Sequence, residues 1–161
     1  MENKNGTEFN FEKVIDEFSN MVYRVAYNYL SNKSESEDVM QEVFLSLLKK
    51  GTDNMDYEHL KAWLIRVTIN KCKNINKSSW NSKTVPLEEA ENILTQEELS
   101  LREELFALER TDRSIVYLYY YEQLTIKEIS KILHMKSSAV GTRLSRARKK
   151  LKFIIEQEEI Q

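Results

Sequence analysis

Apolar residues recur along most of this chain at spacings of three and four, the period of a helix with one face buried. Phe11, Val14, Ile15, Phe18, Val22, Val25, Ala26 and Tyr29 predict one amphipathic helix from Phe11 to Leu30. Ser34 with Glu37 reads as a capping box, in which a hydroxyl and a carboxylate each satisfy a free backbone amide of the first turn. The helix it opens carries Val39, Met40, Val43, Phe44, Leu47 and Leu48 inward and stops at Gly51. Residues Thr52 to Tyr57 read as an exposed loop. Leu60, Trp63, Leu64, Val67, Cys72 and Ile75 then predict a third helix running into Lys77 to Trp80, and the three helices make one small bundle.

Periodicity lapses between Asn81 and Thr95, a stretch that holds Pro86 and reads as a flexible linker. Thr95 and Glu98 open a helix with Leu99, Leu101, Leu105 and Leu108, followed by one with Ile115, Val116, Leu118 and Tyr119. A second capping box, Thr125 with Glu128, starts a short helix that turns Ile126, Ile129, Ile132 and Leu133 inward. After His134, Met135 and Lys136, the pair Ser137 and Ser138 can cap a last helix with Val140, Leu144, Ala147 and Leu151 on its apolar side. That sequence of short helix, tight turn and helix is a helix-turn-helix. The expected fold is all-α: two small helical domains, 1–80 and 97–161, joined by a linker at 81–96.

Composition agrees, since 161 residues hold only three glycines and one proline to punctuate turns or hairpins. Cys72 stands alone, so no disulfide can form within the chain and no cluster of cysteine ligands can hold a metal. This suits a reducing cytosol. The first residues are polar and acidic, and no window nears the roughly 20 apolar residues that cross a bilayer, so a cytoplasmic location without membrane insertion is expected.

A formal net charge of −2 argues against indiscriminate nucleic-acid binding, but the charge is unevenly spread. No acidic residue falls between Glu58 and Glu88, where Lys61, Arg66, Lys71, Lys73, Lys77 and Lys83 lie, and none falls between Glu128 and Glu156. The last helix carries Thr142, Arg143, Ser145, Arg146, Arg148, Lys149 and Lys150 opposite its apolar stripe. Short hydroxyl side chains first and basic ones later suit a recognition helix, whose early residues reach base edges while later ones neutralise phosphates. The plainer alternative is a solvated basic face; the capped helix and tight turn before it favour DNA.

Arg66, Asn70, Lys73 and Asn74, with Lys77 one turn on, make a second polar stripe, expected opposite Trp63, Leu64 and Val67. Lysine neutralises phosphate, asparagine can meet a base edge, and the preceding loop can hold an unstacked base. Trp63 is assigned to the core rather than to stacking. Asp38, Gln41, Glu42 and Leu45 form an acidic and amide patch with one apolar edge, suited to a protein partner or else an ordinary solvated face. Acids early in a helix usually serve its dipole, so no metal is assigned to Asp38 and Glu42. His59 and His134 fall in different domains and no phosphate-cradling glycine loop exists. Neither an enzyme, a cofactor nor a small-molecule substrate is expected.

The strings EDVMQEVFLSLLKK, LKAWLIRVTINKCKN, LYYYEQLTIKEISKIL and SSAVGTRLSRARKKL, in this order around a short linker, resemble the two regions of an extracytoplasmic-function sigma factor of the sigma-70 family. The likeness spans about residues 11–80 and 97–153. It implies a specificity subunit that directs core RNA polymerase to promoter DNA, assists melting, and responds to envelope or environmental stress. By the same likeness, Asp38, Gln41, Glu42 and Phe44 dock on the coiled coil of the polymerase's largest subunit. Asn54, Met55, Lys61, Arg66, Asn70, Lys73 and Asn74 read the minus-ten element. Ser138, Thr142, Arg143, Ser145 and Arg146 read the minus-thirty-five element with Lys149 on phosphate, and Ser137 stands at the head of that helix. An anti-sigma protein is a further implied partner, with Val85, Leu87 and Ile93 of the linker as residues it can bury.

Three departures from the family pattern stand out. Leu108-Glu109 replaces a frequent Leu-Pro, and the loop from Thr52 to Tyr57 lacks the common Phe or Arg, which implies an altered promoter preference. Gly141 lies within the recognition helix where some members present a longer side chain, so base reading there is expected to be weaker. The rival readings are an autonomous dimeric helix-turn-helix regulator, which would bind a palindrome without polymerase, and a helical interaction module whose basic tail is incidental.

Overall fold

The computed structural model describes residues 10–76 and 102–160, which divide between two compact units, one within 1–86 and one within 87–161. Every described element is an α-helix, and the second unit contains the expected helix-turn-helix. The proposed linker 81–96, the Thr95–Glu98 opening, Leu99, Leu101 and Lys77 lie outside the described residues.

In the first unit α1 (Phe11–Leu30) has the expected bounds. The Asn10 side chain accepts the Glu12 amide at 3.0 Å, and Ser31, in a left-handed conformation at φ 57°, closes the helix by donating its amide to Tyr27 O. Its buried surface is wider than the predicted stripe, because Met21, Tyr23, Tyr27 and Asn28 are buried as well. The reason is that α1 packs on two neighbours, α2 (Lys33–Lys50) and α3 (Tyr57–Asn76), so its second half has two covered faces. Phe18 and Tyr57, with ring centroids 5.2 Å apart, pin α1 to the start of α3.

The entry to α2 corrects the sequence reading. Asn32, not Ser34, is the cap: its side chain accepts the Glu35 amide at 2.9 Å, and its carbonyl accepts the Ser36 hydroxyl at 2.6 Å. Ser34 and Glu37 lie inside the helix. Gly51 ends it as expected, at φ 80°, a value at which a side chain would be strained. Val39, Val43, Phe44 and Leu47 are buried, but Leu48 is 53% exposed and does not belong to the core stripe.

The segment from Thr52 to Tyr57 is only partly an exposed loop. Thr52 and Met55 are buried, Asp53, Asn54 and Asp56 are exposed, and Tyr57 already belongs to α3. Asp56 caps α3 by accepting the His59 amide at 2.8 Å. The phase of α3 also differs from expectation. Leu60, Leu64, Ile65, Thr68, Ile69 and Cys72 are buried, whereas Trp63, Val67 and Ile75 are half-buried. Thr68 enters this core at little cost because its hydroxyl donates to Leu64 O one turn back, at 2.6 Å.

The second unit comprises α4 (Arg102–Phe106), α5 (Arg110–Tyr120), α6 (Ile126–Leu133) and α7 (Ser137–Ile160). The others all pack on α7 or on one another around Leu105, Ile115, Leu118, Ile129, Val140 and Leu144. The Arg113 guanidinium, nearly buried, lies 4.2 Å over the Phe106 ring, a cation–π contact that ties α4 to α5. Tyr117 donates to the buried Glu122 at 3.2 Å. The α6 capping box is the predicted one: Glu128 N donates to Thr125 Oγ1 and Thr125 N to Glu128 Oε1, both at 3.1 Å.

His134 makes the turn, with φ 56° and ψ 47°. Because α7 begins at Ser137, Ser137 and Ser138 sit within its first turn rather than capping it, and Ser137 Oγ instead bonds Ser130 Oγ of α6 at 3.2 Å. The far end of α7 carries Glu156, Glu158 and Glu159, with no basic residue in the last turn. No described helix is long and apolar enough to cross a membrane.

Candidate functional site

Successive helix residues turn by 100°, so on α7 Ser138, Thr142, Arg146 and Lys149 fall on one stripe directly opposite Val140, Leu144 and Ala147. The apolar three are buried and the polar four exposed. The Thr142 hydroxyl donates to Ser138 O at 2.9 Å, which fixes its rotamer and leaves its oxygen outward as an acceptor. Ser138, Thr142, Arg143 and Arg146 border a shallow depression of about 290 Å³. No acidic residue of α7 interrupts this stripe.

Two of the basic residues expected on that face are engaged elsewhere. The Arg148 guanidinium lies 5.4 and 5.5 Å over the rings of Tyr119 and Tyr120, turned back toward α5. Arg143 stands at the edge of the stripe, where its Nη1 donates to Asp112 Oδ1 at 2.9 Å and to Glu109 Oε2 at 3.3 Å. The hydrogen bond that the guanidinium donates to Asp112 raises the Arg143 pKa above its ordinary value, against the opposing effect of burial, so the guanidinium stays charged. Acidic groups therefore do approach the basic half of α7, from the start of α5 rather than from its own sequence. Ser145 lies on the opposite edge and is exposed.

In the first unit, Asp38, Gln41, Glu42 and Leu45 are all exposed on one face of α2, as expected, with Phe44 buried beneath them. Leu45 is 57% exposed, and with Leu48 it forms the lip of a groove of about 370 Å³ that Phe11, Ile15, Met40 and Phe44 also line. The patch is thus more apolar than the sequence pattern implies, because Leu48 lies on this face and not in the core. A second groove of about 690 Å³, also unforeseen, runs between α5 and α7 over Leu105, Val116, Tyr121, Leu151 and Ile155.

On α3 Arg66 and Asn74 are exposed and Lys61, Asn70 and Lys73 half-buried. Trp63, Val67, Asn70 and Asn74 follow one another at spacings of four, three and four, so Trp63 lies in line with the asparagines and not opposite them. A half-exposed indole beside amides and cations can offer a stacking surface, which the core assignment had set aside. Asn54 is exposed in a left-handed conformation at φ 66°. Met55 is 9% exposed and turns inward, where it presents little area to a base.

Models of two protein regions match the chain: Sigma-70 region 2 over residues 14–81 and Sigma-70 region 4 over residues 98–151. Among curated proteins, the ECF RNA polymerase sigma factor SigW of Bacillus subtilis is 25% identical over 170 residues, covering 92% of this chain and 90% of its own. RNA polymerase sigma factor SigV of the same organism is 24% identical, covering 86% of each. Among solved structures, the sigma factor RpoE in complex with the anti-sigma factor NepR from Bartonella quintana shares the fold at a TM-score of 0.69 and 16% identity, covering 91% of this chain and 96% of that one. CnrH in complex with the cytosolic domain of CnrY aligns at a TM-score of 0.65 and 20% identity, covering 91% of this chain and 88% of that one.

Proposed function

This chain belongs to the sigma-70 family as an extracytoplasmic-function RNA polymerase sigma factor, a specificity subunit that binds core polymerase and promoter DNA, and we propose that its exposed faces divide that work among three contacts. The α2 face of Asp38, Gln41, Glu42 and Leu45 docks on the coiled coil of the largest polymerase subunit. Leu48 extends its apolar edge. The α3 stripe of Arg66, Asn70, Lys73 and Asn74, with Asn54 and Lys61 beside it, reads and opens the minus-ten element. Trp63 supplies a ring for a captured base. The α7 stripe of Ser138, Thr142, Arg146 and Lys149, flanked by Arg143 and Ser145, reads the minus-thirty-five element.

The observation that carries this reading is the α7 stripe: four exposed hydroxyl and basic side chains in register, backed by a capped support helix. Each DNA contact alone is weak. Held by polymerase at fixed spacing, the second becomes intramolecular and gains an effective concentration, so promoter selectivity arises in the complex. Capture of unpaired bases offsets an unstacking cost of roughly a few kcal/mol per step. The subunit contributes no catalytic residue; phosphodiester chemistry stays with the polymerase, in the cytoplasm where its template is. It responds to envelope or environmental stress through release from an anti-sigma protein. The RpoE–NepR complex is a precedent for that partner.

Transcription by purified core polymerase on a bacterial genomic template pool, with and without the protein, tests the reading. New starts that share a two-part upstream sequence are expected. Failure to bind core, together with operator binding by the protein alone, would replace it with an autonomous regulator.

A further inference from the structure

Resting on the reading of α7 as the upstream-element helix, we propose that Asp112 and Glu109 are positioning residues that turn Arg143 from a phosphate contact into a reader of one base edge. Both carboxylates bond the same nitrogen, Nη1. The opposite edge of the guanidinium, Nε–H and Nη2–H, makes no hydrogen bond among the described residues, and those two parallel donors match the paired acceptors O6 and N7 of guanine. The side chain is 38% exposed and borders the depression on the reading face, so that edge is reachable.

Charge decides which ligand it takes. One guanidinium against two carboxylates leaves the local sum negative, which disfavours a phosphate but still lets neutral base acceptors bind. Arg146 and Lys149 have no carboxylate partner among the described residues, so Lys149 keeps the phosphate role and Arg146 its place on the reading stripe. Glu109 sharpens the point. It occupies the N-cap position of α5 yet makes no capping hydrogen bond, its carboxylate being spent on Arg143. A proline at this position, frequent in the family, would supply no such group.

The experiment is holoenzyme binding to a promoter library randomised in the upstream element, at several salt concentrations, comparing the full chain with Asp112→Ala, Asp112→Glu, the pair Asp112→Ala with Glu109→Ala, and Arg146→Ala. The pair is expected to lose about tenfold selectivity at a single base pair, the size of one bidentate contact, while its salt dependence steepens by up to about one phosphate equivalent. Asp112→Glu should restore selectivity, which a merely structural role would not predict. Unchanged selectivity in the pair overturns the proposal, as does a uniform gain in affinity for all sequences, which would make the carboxylates a mask over a phosphate contact. If Arg146→Ala also leaves upstream binding untouched, the reading of α7 itself fails, a result distinct from failure of the Arg143 proposal alone.

Discussion

Arg143 on α7 and Asp112 in the first turn of α5 are joined by a 2.9 Å ion pair across 31 positions of sequence. The pair is partly exposed, 38% at the arginine and 23% at the aspartate, so water screens it. Asp112→Ala is therefore expected to change unfolding free energy by under about 1 kcal/mol. Urea unfolding followed by far-ultraviolet dichroism measures this. A loss several times larger would mean that the pair holds the helices together rather than aims a side chain.

The capping box at the start of α6 is a local feature with a local magnitude. Thr125→Ala removes the acceptor of the Glu128 amide and should cost about 1 kcal/mol, whereas Thr125→Ser should cost much less. The denaturation midpoint should move at unchanged slope. A midpoint that stays put in the alanine variant would show that α6 is held by packing alone.

His134 occupies the left-handed region at φ 56°, where a residue with a Cβ is strained. His134→Gly is expected to stabilise the unit by roughly 0.5 kcal/mol, the relieved strain exceeding glycine's entropic cost. Thermal melting decides the sign; a lower midpoint would contradict it.

Leu45 and Phe44 are neighbours on α2 with opposite fates. Phe44→Ala should destabilise the first unit by about 3–5 kcal/mol, the usual range for a buried ring. Leu45→Asp alters an exposed side chain and should leave stability within about 0.5 kcal/mol, yet weaken polymerase binding at least tenfold. Titration of labelled core polymerase separates the two. Undiminished binding by Leu45→Asp would remove this face from the interface.

Trp63 gives the sharpest test of the first DNA contact. Being half-buried and in line with Asn70, its replacement by alanine should spare polymerase binding while reducing promoter opening by about 1–3 kcal/mol, the value of one base–aromatic stack. Permanganate reactivity of unpaired thymines reports opening. Normal opening would return Trp63 to the role of packing.

How much was legible in the sequence differs from helix to helix. For α1 the apolar period and the flanking polar residues fixed both ends, because no other register buries Phe18, Val22 and Val25 together. In α3 the phase was ambiguous: Trp63, Leu64, Ile65, Val67 and Ile69 supply apolar side chains on several sides, and only the packing of α1 and α2 selects Ile65 and Ile69 over Trp63 and Val67. At the entry to α2 both Asn32 and Ser34 are good caps, and a shift of only two residues in the helix start decides between them. The exposed faces of α2 and α7 were legible because each lies on a single helix, except that Leu48 joins the α2 face and Arg148 turns away from the α7 one. The hold on Arg143 was not readable, since it joins residues on different helices and Glu109 looked only like a departure from a pattern.

The two ends of α7 have one further consequence. Its first half is basic and its last turns are acidic, so each end carries the same sign of charge as the unpaired peptide groups there. Over roughly 36 Å of helix the backbone is thus left under-compensated at both tips. Amide exchange should accordingly be fastest beyond Phe153. If α7 reads the upstream element as proposed, the polyanion bound along its first half supplies the missing negative charge and slows its unwinding.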